Sequence, residues 1–246
     1  MTLTGEKQHI TIDRGQSETI VLTVADTNAD LEITINGGAE LNLILKQTTV
    51  NAKALTTNTT INCEANSRIN ISTINIEPRN IANTLIVNLN GEGAEATLNG
   101  LYVAGAGGAI ENRTEIHHHA AHCTSTELYK GILDGNAVAK FAGLIQVAPG
   151  AQKTAARQTN RHLLLSPDAH GYAQPHLIIN ADDVKCSHGA TSGQIDREQL
   201  FYMQQRGIDA ATAQRLLVAA FANEVVALIP DEATRQELTA LLSADV

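Results

Sequence analysis

The chain has 246 residues with 26 acidic and 17 basic side chains, a formal net charge of −9 at pH 7. That length can bury a core in one large or two small domains, and the charge opposes non-specific binding to nucleic acid or to an anionic membrane surface. MTLTGEKQHITID shows neither a basic start followed by an apolar segment nor a long apolar run, so no secretion signal and no membrane span are expected and the expected location is cytoplasmic.

Three widely separated cysteines, Cys63, Cys123 and Cys186, do not form a disulfide framework and read as reduced thiols. Aromatic residues are 3% of the chain and Trp is absent, which leaves stacked aliphatic side chains to build the core.

From Ile10 to Val103 short strands follow one another: HITI, TIVLTV, LEITI, LNLIL, TTINC, RINISTINI, TLIVNL and ATLNGLYV. Ile33 and Ile35, Leu41, Leu43 and Leu45, and Ile69, Ile71, Ile74 and Ile76 for the most part keep the period of two that marks one buried face. Several runs begin about ten residues apart, with Gly37, Gly38, Gly91 and Gly93 among the turns, a spacing that suits an antiparallel sandwich or a stacked solenoid. Short, even strands, inward residues of uniform size and few Asn-Gly hairpin dipeptides favour the solenoid, although no exact repeat is visible.

A glycine-rich stretch then leads into HHHAAHCTSTELYKG. On an extended backbone His117 and His119 share a face with Ala121 and Cys123, and with His122 they offer a possible metal site. Neither an HExxH nor a paired CxxC spacing is present, so a plain polar strand face stands beside that reading. Between Lys130 and Gly150 two strands flank the turn signal Asp134-Gly135. Ser166 to Tyr172 reads as a turn, and Leu177 to Ile179 as a short buried strand.

Ala181 to Ser192, ADDVKCSHGATS, follows that strand. Cys186 and His188 are two residues apart, so on a strand their side chains point the same way, about 6 to 7 Å apart. A soft sulfur and an imidazole suit iron, copper or zinc, but two donors are half a site, and another surface would have to complete it. The other reading makes Cys186 a small buried apolar residue and His188 a hydrogen-bonded loop residue.

The period then becomes helical. Asp196 followed by Gln199 resembles a capping box for a helix over Arg197 to Arg206 that stops at Gly207. Asp209 caps a second helix through Ile229, with Leu216, Leu217, Ala220, Phe221, Val225 and Leu228 as its apolar face before Pro230. Asp231 opens a third, with Leu238, Leu241 and Leu242. The expected organisation is a β-solenoid core over 1–195 and a C-terminal helical cap over 196–246, the helices covering an open sheet edge and offering a docking surface.

The segments HHAAHCTSTELYKGILDG, AQKTAARQTNRHLLLS, PHLIINADDVKCSHGAT and GQIDREQLFYMQQRGI closely resemble the core of the SUF iron–sulfur cluster assembly proteins, the SufB/SufD family, in the same order. The resemblance implies a right-handed parallel β-helix with a helical C-terminal region. It implies a non-catalytic scaffold that handles a transient iron–sulfur cluster or iron. It also implies two partners: a B-type paralogue paired through the β-helix, or a second copy in a homodimer, and a SufC-type ABC ATPase on the helices, in the region of Gln199, Phe201, Tyr202, Arg206 and Phe221. ATP use would belong to that partner, since the chain has no GxxxxGK[ST] phosphate loop and no bound nucleotide is expected.

B-type members carry a cluster-associated cysteine near the position of Asn160 or Arg161 and read His-Glu-Ala where this chain reads His188-Gly189-Ala190, so the chain resembles the D-type. In that type the histidine matching His188 is implicated at the subunit interface, with Cys186 the second candidate. Related sequences have an acid at the position of Ala155 and a glutamate at that of Ile178, which weakens any iron or proton role there. D-type members also carry an N-terminal helical region, whereas this chain begins in β pattern.

Overall fold

Fourteen strands, in a computed structural model that describes residues 7–25, 27–48, 54–76 and 80–244, alternate between two sheets, so each strand is followed by one in the other sheet. One sheet holds β1 (Gln8–Ile12), β3 (Ala29–Ile35), β5 (Leu55–Cys63), β7 (Asn80–Leu89), β9 (Ala109–His118), β11 (Val138–Val147) and β13 (His170–Ile179), in that order. The other holds β2 (Ser17–Ala25), β4 (Glu40–Thr48), β6 (Arg68–Ile76), β8 (Glu95–Ala104), β10 (Thr124–Leu133), β12 (Ala155–Leu164) and β14 (Lys185–Gln194). Every strand pairing within each sheet is parallel. This is the stacked solenoid expected from the short, even strands.

Parallel register stacks like upon like. The inner column Ile33, Ile61, Val87, Ile116, Ile145 and Leu177 runs through one sheet, and all of these but the half-buried Leu177 are fully enclosed. Burying an Ile or Leu side chain stabilises by about 1.5–3 kcal/mol. No Trp is needed, because the two sheets face each other across a bore filled mostly by aliphatic side chains, with Tyr102, Tyr129 and Phe141 among the largest residues it encloses. The coils differ in length: partners are 23 residues apart where Ser17 meets Glu40 and 32 apart where Val138 meets His170. The strands stay in register while the corners absorb the difference, which hides the repeat from sequence.

The expected turn at Asp134-Gly135 is present between β10 and β11, with Gly135 at a φ of 60°; since those strands lie in opposite sheets, it is a solenoid corner. One local expectation needs correction. Leu177 to Ile179 belong to the ten-residue strand β13, and Ile178 and Ile179 are exposed. β13 is the last strand of its sheet, so no further coil covers it.

Three helices follow: α1 (Arg197–Gln205), α2 (Ala210–Val226) and α3 (Glu232–Ala244). Asp196 accepts from Glu198 N–H at 2.8 Å, Asp209 from Thr212 N–H at 2.9 Å and Asp231 from Thr234 N–H at 2.7 Å, each satisfying a donor that a helix start leaves orphaned. The helices do not cover the terminal edge. They lie on the outer face of the β2–β14 sheet, where Ile44, Ile74, Leu101 and Ile132 form a second core with Val218, Ala222, Val225 and Leu238. The face of α2 is correspondingly rotated from the expected one: Ala213, Val218, Ala222, Val225 and Val226 are buried, while Leu216, Ala220 and Leu228 are exposed. Small and β-branched residues let the helix sit close to the sheet, and the leucines turn outward.

Lys130 on β10 ties sheet and helix together. Its side chain is 0% exposed, its Nζ donates to the Phe221 carbonyl at 2.9 Å, pairs with the Glu224 carboxylate at 2.7 Å and lies 4.1 Å from the Phe221 ring centroid. Arg161 approaches the same carboxylate at 3.5 Å. Lys130→Ala removes a charge-assisted hydrogen bond to a carbonyl and the cation over the ring, and we expect it to cost about 1–3 kcal/mol. A fall in urea midpoint together with faster amide exchange in α2 would register the loss.

Candidate functional site

The last coil ends in β14, whose backbone pairs with β12 alone. The corner before it is tied on both sides. Lys153, at a φ of 62°, donates its N–H to the Asp183 carbonyl at 2.7 Å and pairs its ammonium with the Asp183 carboxylate, while the Asp183 N–H reaches Gln152 Oε1 at 3.0 Å. Lys185 N–H then donates to the Thr154 carbonyl at 2.8 Å and sets the register. Cys186 falls opposite Ala156 and His188 opposite Gln158.

Ala156 and Gln158 are inner residues of β12, so Cys186 and His188 share the inner side of β14, as their spacing predicts. Cys186 is half-buried against the core, and burial raises its thiol pKa. His188 is exposed because no coil follows. A thiol and an imidazole thus stand together at the open mouth of the bore.

Beneath them the bore changes character. One inner column runs Leu43, Ile71, Leu98, Glu127, Gln158 and His188, three aliphatic residues followed by three polar ones. Gln158 Nε2 donates to Glu127 Oε2 at 2.6 Å. Burial pushes the Glu127 carboxyl up to about 7, opposed in part by the nearby Thr114 hydroxyl and then by the Gln158 amide.

A neighbouring chain of contacts joins Asn160 Nδ2 to the Tyr102 hydroxyl at 3.0 Å, that hydroxyl to His162 Nε2 at 2.7 Å, and His162 Nδ1 to Ser192 Oγ at 3.1 Å. Burial holds His162 down at about 4. Glycines make this possible: a Cβ on Gly131 would lie 2.2 Å from the Tyr102 ring, and one on Gly143 would lie 2.2 Å from Gln158 Nε2. Sequence reading missed Tyr102, Glu127, Gln158 and His162. Glycines within the strand segments GIL and FAGLI were the available signal, since a strand-interior glycine marks a close approach.

The histidine tract is divided by the fold. β9 ends at His118, which points inward, is fully enclosed, bonds Ser125 Oγ through Nε2 at 2.9 Å and is held at about 4 by burial. His117 and His119 lie outside with stacked rings, centroids 5.9 Å apart, and His117 Nε2 lies 3.2 Å from Glu115. His122 occupies an exposed corner at a φ of 58°, 3.9 Å from Glu92. Cys123 is buried, its thiol donating to the Gly91 carbonyl at 3.3 Å. His117 and His119 share a face as expected, but that face does not extend to Ala121 and Cys123, because the strand stops at His118 and a corner intervenes. Among the described residues no three His, Cys, Asp or Glu side chains gather as a metal-holding group.

On the helices, α1 buries none of its residues; Phe201 is 61% and Tyr202 58% exposed, and the Arg206 guanidinium lies 4.7 Å from the Tyr202 ring centroid. Gln199 and Phe221 line a groove of about 400 Å³ between the end of β14 and helices α1 and α2, with Ser192, Leu217 and Glu224. Phe221 is half-buried under Lys130, so it is part of the sheet contact as well. No helix among the described residues is long and apolar enough to cross a membrane.

The buried acid gives a pH test. Between 4.5 and about 7 the folded chain keeps the Glu127 proton that the unfolded chain has lost, so this group's contribution falls as pH rises through that window. His118 and His162 act oppositely: the unfolded chain binds their protons between about 4 and 6.5, so their contribution is lost as pH falls. Glu127→Gln removes the first effect alone. Its stability relative to the parent chain is expected to improve on going from pH 4.5 to 7.5, by on the order of 1–3 kcal/mol, in urea unfolding at the two pH values.

A family model described as "SUF system FeS cluster assembly, SufBD core domain" matches residues 3–221. The chain is 41% identical over 152 residues to the iron–sulfur cluster assembly protein SufD of Escherichia coli (strain K12), an alignment covering 62% of this chain and 36% of the relative. It is 44% identical over 109 residues to an iron–sulfur cluster assembly SufBD family protein of Synechocystis, covering 44% and 24%. With the SufD of Bacillus subtilis (strain 168) it shares 35% identity over 145 residues, covering 58% and 33%. The chain thus spans between about a quarter and little more than a third of the length of these relatives.

Proposed function

The chain belongs to the SUF system SufBD core family of iron–sulfur cluster assembly, and from that premise we propose that it is a D-type, non-catalytic scaffold on which a nascent cluster or its iron is held at a subunit interface. The observation that carries the reading is the pairing of Cys186 and His188 on the inner side of the last, one-sided strand. Two donors need a second surface to complete a coordination sphere. β13 and β14 end their sheets with unpaired edges, to which a B-type paralogue or a second copy can add. The iron or cluster is cargo that arrives with that partner. The raised thiol pKa of Cys186 suits the same order of events, since the thiolate needed as a ligand forms once a cation or a partner offsets its burial.

The helices supply the second contact. α1 turns Phe201 and Tyr202 to solvent, an aromatic pair of the type that anchors protein interfaces, and it stands next to the end of β14. A SufC-type ABC ATPase on this surface would be coupled to the last coil through the Lys130–Glu224 contact. Ala155 and Ile178 offer no carboxylate, and no ligand or proton role is assigned to them. A metal-holding enzyme built on His117, His119, His122 and Cys123 has less support, because only His117 and His119 share a face, while His122 sits on an exposed corner and Cys123 is buried.

Co-purification with candidate SufC-type and B-type partners, followed by anaerobic reconstitution, tests the reading. His188→Ala is expected to lower the iron and sulfide retained by the complex at least about tenfold, the range found when a coordination sphere is weakened, and Cys186→Ala to have a smaller effect. Equal retention in wild type and His188→Ala would remove His188 from the site. The double variant Phe201→Ala/Tyr202→Ala is expected to weaken ATPase binding about tenfold or more in titration calorimetry, since each interface anchor contributes over about 1 kcal/mol.

A further inference from the structure

His188 ends an inner column whose preceding members are Glu127 and Gln158, and the column has an unmet acceptor next to it. Gln158 is 0% exposed. Its Nε2 donates to Glu127 Oε2 at 2.6 Å, the orientation an ionised carboxylate favours, and its Oε1, like Glu127 Oε1, has no hydrogen-bond partner among the described residues. The missing side chain at Gly143 gives the amide its space, since a Cβ there would lie 2.2 Å from Nε2 and 2.9 Å from Oε1. A buried acceptor without a donor forfeits the hydrogen bond it had with water, so a donor within reach of it is favoured. Neighbouring strands are about 4.7–4.9 Å apart, so the inward side chain in register with Gln158 on β14 is within reach of that oxygen. That side chain is His188.

We propose that Gln158 is the positioning residue of His188: rotation of the exposed His188 ring about its side-chain torsions brings one imidazole N–H to Gln158 Oε1, which selects the tautomer and turns the lone pair of the other nitrogen out of the open mouth of the bore. Glu127 acts one step further back by holding the amide in the orientation that leaves Oε1 free. A ligand histidine usually has its second nitrogen held in this way by an outer partner, and here the partner is built into the strand below. The ring orientation is a property of this chain alone, whereas its use for iron rests on the scaffold reading above.

The full chain, labelled with 15N-histidine, reports the tautomer directly in a two-bond 1H–15N spectrum, with His188 assigned by the signal that His188→Ala removes. In the wild type one tautomer should dominate, and in Gln158→Met, close in shape but without the acceptor, the ratio should shift at least about threefold, the effect of losing a hydrogen bond of roughly 0.7 kcal/mol or more. Gln158→Leu provides the same comparison if the methionine variant does not fold, as judged by circular dichroism. Nearly equal tautomers in the wild type, or an unchanged ratio in a folded variant, would overturn the proposal. Ferrous iron titrated into the partner complex separates the two ideas: Gln158→Met should weaken binding by about 10–100-fold if His188 is a ligand. A shifted tautomer ratio with iron binding unaltered by His188→Ala would instead uphold the positioning role and overturn the scaffold site.

Discussion

Everything in this molecule depends on the parallel, in-register hydrogen-bond ladder that lays each coil on the one before it. Register makes each inner residue the neighbour of its counterparts above and below, so side-chain chemistry is organised in columns that run along the bore. Ile33 to Leu177 shows what a column does when all its members are aliphatic. Leu43 to His188 shows one that changes from apolar to polar over its last three coils and delivers an imidazole to the mouth. The site is therefore the place where a repeating architecture stops, and its reactivity comes from the neighbour that each terminal residue lacks.

The helices answer a different need. By lying on the outer face of the β2–β14 sheet they bury Ile44, Ile74, Leu101 and Ile132, which a free face would expose, and they leave the terminal edge open. Lys130 makes the attachment specific: its ammonium is removed from water and is matched by a carbonyl, a carboxylate and an aromatic face, all from α2. The strand that carries Lys130 on its outer side carries Glu127 on its inner side, so the helix contact and the polar column share β10. A displacement of α2 reaches the bore through one strand.

Much of this was legible in the residues. Alternating Ile and Leu gave the strands, their even spacing favoured a solenoid, and Asp196, Asp209 and Asp231 marked three helix starts that the structure retains. The shared face of Cys186 and His188 followed from a period of two. What could not be read was anything that needed the coil-to-coil register. Glu127, Gln158 and His188 are separated by about thirty residues each, and only the stacking of corners of unequal length makes them neighbours. The histidine tract misled for a local reason, because a strand end at His118 is invisible in a run of like residues, and the corner after it sends Cys123 inward. The face of α2 misled because leucines were counted as core, while Val218, Ala222, Val225 and Val226 allow a closer approach.

A stack of coils is close to a one-dimensional chain of nearest-neighbour contacts, and in such a chain the end unit is the first to fray. β14 is hydrogen-bonded on one side only, so the rung that carries Cys186 and His188 is held by one neighbouring strand instead of two. Local opening there exposes few apolar side chains and leaves the remaining coils intact. On the scaffold reading proposed above, release of a cargo would not need to disturb the fold: the candidate site would loosen by peeling one rung, and a partner that adds a strand to that edge would slow the peeling and raise the residence time together.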